Sequence, residues 1–128
     1  MQYVTVVGRI LFAAIFLAAA PRHFTAEAIA HATDLGVPLA RLAVPLSGVL
    51  AILGGLSVMV GFQARLGALA LIAFLVPVTL MMHGFWRLTD PVEVHTQQAM
   101  FMKNLSMLGG ALLLFCTGAG PLSIDARG

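Results

Sequence analysis

LAVPLSGVLAILGGLSVMVGF (residues 42–62), then Gln63-Ala64-Arg65, then LGALALIAFLVPVTLMMH (residues 66–83), make two long apolar runs divided by a three-residue turn. A helix rises 1.5 Å per residue, so about 20 mainly apolar residues cross the hydrocarbon layer of a bilayer. Both runs meet that length. A turn this tight makes the two helices antiparallel neighbours.

Composition extends the same reading to the whole chain. Of its 128 residues 60% are hydrophobic and 9% charged, and the mean hydropathy is +1.00. A soluble domain carries about 25% charged residues, because its surface must face water. The 7 basic and 5 acidic side chains here are too few to coat such a surface, so the apolar exterior faces lipid. The competing reading is a permanently buried subunit of a large soluble complex. A net charge of +2 builds no basic patch and implies no nucleic-acid partner. The single cysteine, Cys116, lies in an apolar stretch. A thiol–disulfide mechanism needing two cysteines of this chain is excluded.

Working outward, a first span covers 4–20, interrupted only by Gly8 and Arg9. Pro21-Arg22-His23-Phe24 follows it in place of a small-residue cleavage pattern, and the uncharged start also argues for a retained span over a signal peptide. In 22–41, Phe24, Ala28, Ile29 and Leu35 are spaced as one face of a short interfacial helix. Pro45 falls in the first turn of the second span, where a missing N–H costs least. The polar stretch 84–98 reads as a loop in which Asp90, Glu93 and His95 are solvated, and a fourth span covers 99–117 before Gly118-Ala119-Gly120-Pro121 breaks it. The expected fold is all-α membrane: an antiparallel four-transmembrane-helix bundle with a short interfacial helix between the first two spans, in one domain, 1–128. Small residues let helices approach in lipid, and the packing positions are Ser47, Ala51, Gly54 and Gly55, then Gly67, Ala70 and Ala73, then Gly109, Gly110 and Ala111. A glycine-lined ligand groove is the functional alternative.

Four spans put both termini on one side with the 63–65 turn. The other side receives His23, His31, His83 and His95. Arg9, Arg65 and Arg127 against Arg22, Arg41, Arg87 and Lys103 barely separate the sides. The less acidic company on the terminal side favours cytoplasmic termini.

Ionisable groups in a membrane are functional candidates by default. Arg9 either snorkels to the headgroups or binds an anion, a headgroup or Asp125. Asn104, beside Lys103, either makes an interhelical hydrogen bond or contacts a ligand such as a quinone carbonyl. His83 with Phe85, Trp86 and Arg87 is either an interfacial anchor or a titrating group able to pass a proton or bind a metal. A metal site lacks the usual local ligand pair, since the regular histidine interval is eight, His23 to His31. A bis-histidine haem across His23 and His83 is geometrically conceivable and poorly supported. Pro77 removes a backbone bond to the Ala73 carbonyl. It either lines a cavity or is tolerated by packing, the reading the sequence favours. No catalytic constellation and no resident cofactor are expected.

Gly8-Arg9-Ile10-Leu11, Gly54-Gly55-Leu56 with Gly61 and Arg65, His83-Gly84-Phe85-Trp86, Lys103-Asn104 with Gly109-Gly110, and Gly118-Ala119-Gly120-Pro121-Leu122-Ser123-Ile124-Asp125 together resemble the DoxX family. That resemblance implies a small four-helix bacterial inner-membrane protein related to the small subunits of thiosulfate:quinone oxidoreductase. It marks Arg9, His83, Phe85, Trp86, Lys103, Asn104 and Asp125 as contacts to a quinone, another ligand or a partner. Many members carry a glutamate just before the Gly-Gly of the second helix, where this chain has Ala51, which weakens a proton-coupled quinone reaction there. The functional expectation is a non-catalytic subunit or assembly partner of a larger membrane redox or energy-transducing complex, or else a homo-oligomer. The alternatives are a quinone-binding component of an oxidoreductase and a small oligomeric transporter.

Overall fold

The computed structural model describes residues 2–127, and side chains over 3–126; the Arg127 side chain counted above lies outside the described part. Its helices are α1 (Gln2–Ala19), α2 (Ala26–Asp34), α3 (Ala40–Val60), α4 (Ala64–Met82), α5 (Pro91–Thr117) and α6 (Ile124–Arg127). Short 3-10 turns cover Ala20–Phe24 and Phe85–Arg87. Four segments are long and apolar enough to cross a bilayer: Tyr3–Phe24, Ala40–Val60, Ala64–Arg87 and Pro91–Thr117. The fold is therefore an all-α membrane bundle with α2 set between the first two spans.

Each boundary has a local cause. Thr25 caps α2, its side chain accepting the Ala28 N–H at 3.2 Å. Gly61 closes α3 in the left-handed region at φ 73°, the conformation that glycine adopts without a Cβ penalty. Arg87 reaches back to the C-terminus of α4, donating to the Met81 carbonyl at 2.8 Å and the Leu80 carbonyl at 3.2 Å. These are carbonyls that the helix itself leaves unpaired.

Two expectations are corrected. Residues 91–98 are not loop but the first turns of α5. Pro91 at the helix start is pre-set for helical φ, and Glu93 in the first turn suits the positive end of the helix dipole. Pro45 lies past the first turn of α3, because that helix already begins at Ala40.

In the bundle α1 packs on α3, α3 on α4, and α4 on α5. The core is built from Ala13, Phe16, Ala20, Ala51, Val58, Leu71, Phe74, Leu75 and Ala111. A smaller cluster, Ala32, Ala40 and Val44, seats α2 against α3 with Ala28, Ile29 and Val37. The small residues act singly. A Cβ on Gly54 would lie 2.8 Å from Leu71 Cγ and 2.9 Å from the Gly67 carbonyl, so this pair sets the α3–α4 approach. Gly55 faces Leu17, and Gly110 faces the Phe12 ring at 2.7 Å. Gly109, grouped with Gly110 by sequence, points outward, and a Cβ there would meet nothing within 4 Å. Two consecutive residues are about 100° apart on a helix, so they cannot both face one partner.

Candidate functional site

The histidine-bearing side of the bundle encloses a cavity of about 570 Å³. Its walls come from α1 through α5 and the 3-10 turn between α1 and α2. Apolar area is supplied by Leu50, Phe74, Val78, Met81 and Met82, and polar groups by Arg22, His23, His31, Ser47, His83, Gln97 and Lys103. Among the described residues none of its lining side chains is a carboxylate.

The chain positions the two inner histidines by different means. The 3-10 turn after α1 brings His23 against α3, where a Cβ on Gly48 would meet His23 Cβ at 2.8 Å. Its Nδ1 lies 2.8 Å from Ser47 Oγ, and its ring stands edge-on to Phe74 at 5.4 Å. Ser47 already donates its one hydroxyl proton to the Val44 carbonyl at 2.6 Å. Nδ1 is thereby engaged with Ser47, as donor or acceptor according to the tautomer, and Nε2 is the ring position left over. His83, at the C-terminal end of α4, places its Nδ1 2.7 Å from Gln97 Oε1 on α5. That oxygen accepts, so here too Nε2 is free. Neither Nε2 has a hydrogen bond among the described residues. A neutral Nε2 takes a proton or accepts a hydrogen bond, and a protonated one donates to an oxygen.

Pro77 and Ala73 both line this cavity. The proline ring deprives the Ala73 carbonyl of its helical donor, so polar backbone and the ligand space meet at one place. Of the two readings of Pro77, the one in which it lines a cavity has this geometry behind it.

The seven positions chosen from sequence do not converge. His83 and Lys103 line the cavity. Asn104 is 4% exposed on α5, about 10 Å below Gln97 along the helix, with no side-chain hydrogen bond among the described residues. Phe85 and Trp86 form an aromatic cluster with Phe101, with ring centroids 5.4 to 5.6 Å apart. They sit beside the cavity and are not among its lining residues. Arg9 lies about 15 Å from Ala19 along α1, toward the opposite end. It is 4% exposed, and its guanidinium donates to the Ala119 carbonyl at 3.2 Å and the Leu122 carbonyl at 3.0 Å. It thus neither snorkels nor binds Asp125. Asp125 instead caps α4, accepting from the N–H of Gln63 at 2.6 Å and of Ala64 at 2.9 Å.

Arg22, His31, Gln97 and Ser47 were missed as site residues. A proline inside an apolar span and four histidines assigned to one side were the available signals, but neither gives a distance. His95 is not among the cavity's lining residues, and among the described residues no group of three or more metal-ligating side chains is assembled.

The model of the SURF4 family matches residues 1–128. The chain belongs to the SURF4 family. The DoxX resemblance is overturned by that match, and the argument from Ala51 goes with it. Gly-Gly pairs, Trp-Arg at a helix end and Gly-Pro breaks serve packing, interfacial anchoring and helix termination in any small four-helix membrane protein. This SURF4-family chain is similar to the inner membrane protein YqjF of Escherichia coli, 36% identical over 93% of this chain and 87% of the relative. It is also similar to the inner membrane protein YphA of the same organism, 29% identical over 77% of this chain and 70% of the relative. No solved structure matches. With four candidate spans and these relatives, it is a multi-pass protein of the inner membrane.

Proposed function

We propose that this chain is a membrane-embedded binding protein for a small amphipathic molecule with an oxygen-bearing head. The observation that carries this reading is the convergence of His23 and His83, from two different elements, on one cavity with Nδ1 engaged and Nε2 free. A volume of about 570 Å³ suits one drug-sized ligand, since such pockets span about 300–1,000 Å³. The apolar walls take the body of the ligand, and the imidazoles, Gln97 and Lys103 take the head. A quinone fits this description, and its loading would make the chain the membrane component of an oxidoreductase.

The geometry favours binding over the docking-subunit reading, which draws on no feature of the cavity. The test is thermal stability of the purified protein in nanodiscs with the quinone analogue decylubiquinone and with laurate. A ligand at a hundred times its Kd stabilises by about 2.7 kcal/mol. A shift with at least one ligand is expected, and His83→Ala should remove most of it. If neither ligand shifts the protein at saturating concentration, the binding reading fails.

A further inference from the structure

We infer that the head this cavity selects is anionic: the ligand is a single-chain amphiphile ending in a carboxylate or phosphate. The inference rests on the binding reading above and adds the charge of the ligand. Arg22 and Lys103 both line the cavity, with His23, His31 and His83, and no Asp or Glu of the described residues lines it with them. Neither cation is neutralised by another of the described residues. The Arg22 guanidinium has no hydrogen bond or ion pair among the described residues. The Lys103 ammonium has one neighbour of this kind, the uncharged Met100 sulfur at 3.5 Å. Arg9 and Arg87 behave differently, each spending its guanidinium on backbone carbonyls.

Two exposed basic side chains beside apolar walls make the local potential positive. An anionic head supplies the missing counter-charge and forms charge-assisted hydrogen bonds, about twice as strong as neutral ones. A neutral quinone accepts hydrogen bonds from these cations but supplies no counter-charge. The volume of about 570 Å³ holds one chain and not a whole two-chain lipid, so a bilayer phospholipid would enter by one acyl chain with its phosphate among the cations.

The experiment measures binding to the full chain in phosphatidylcholine nanodiscs, with laurate, methyl laurate and decylubiquinone as probes. Laurate is expected to bind at least tenfold more tightly than methyl laurate. The double variant R22Q/K103Q is expected to lose that preference, binding acid and ester alike, with its melting temperature unchanged. Equal affinities for acid and ester, or tighter binding of decylubiquinone, would overturn the anionic assignment while leaving the binding reading intact. Binding of none of the three would remove both. Replacing phosphatidylcholine by phosphatidylglycerol separates the sources. Displacement of laurate supports the inference with the bilayer's own lipid as occupant, and retention supports it with a free acid.

Discussion

Arg9 and Asp125 show how a membrane protein uses its few charges on its own backbone. Asp125 accepts the N–H groups of Gln63 and Ala64, while its own N–H donates to the Gly61 carbonyl at 2.8 Å. Chain 118–125 thereby folds back over the α3–α4 turn. Gln63 and Leu122 sit at φ 50° and 55° without being glycine, a conformation that neighbouring contacts must hold in place. Asp125→Ala is expected to lower stability by about 1 kcal/mol, the usual size of a lost cap, read as a fall in melting temperature. Arg9→Met leaves the Ala119 and Leu122 carbonyls without these donors. The expected result is faster cleavage of the C-terminal segment in limited proteolysis, with the transmembrane core still folded. Unchanged cleavage would mean that the guanidinium is not what holds it.

At the level of the helices, packing depends on which small residue faces a neighbour. Gly54→Val forces atoms into space already held by Leu71 and the Gly67 carbonyl. Overpacking of this kind typically costs about 1–3 kcal/mol. Gly109→Ala meets open space and gains helix propensity of up to about 1 kcal/mol. Thermal melts of the two variants should therefore move in opposite directions, and a Gly109→Ala loss equal to that of Gly54→Val would refute the assignment of faces. Pro77 carries a second contrast. Pro77→Ala restores the donor to the Ala73 carbonyl, so the melting temperature should not fall. Ligand affinity should fall, because the restored bond reshapes the cavity wall. Equal affinity in the variant would make the proline a packing feature alone.

On the scale of the molecule, four crossings place 63–65 and 118–125 on one side and α2 with residues 84–90 on the other. Reporter fusions at residues 63 and 120 should share a compartment, with fusions at 36 and 89 in the opposite one. Any other pattern would break the four-span topology. The same arrangement separates two functions of charge by most of the thickness of the bundle. At one end charges fasten the chain to itself. At the other Arg87 does the same on the α4 carbonyls, but Arg22 and Lys103 have no such partner among the described residues, and these two underlie the expectation that ligand chemistry belongs to the histidine-bearing side.

The number of spans, the membrane as solvent and the amphipathic α2 were legible in the sequence, because hydropathy and periodicity are local and accumulate along the chain. Pro91 to Gln98 were misread because polar residues look alike in a loop and in the first turns of a helix that emerges into water. Pro91 at N1 was the sign that separates the two. The site was only partly legible. His83 and Lys103 were singled out, yet Arg9 and Asp125 stood beside them on the same ground of being charged and near a membrane. Only the tertiary structure decided that His23 meets Ser47, that His83 meets Gln97 and that both rings line one cavity. Those contacts depend on how each helix is rotated about its axis and in what register it meets its neighbour, and rotation and register arise from the packing of all the helices together.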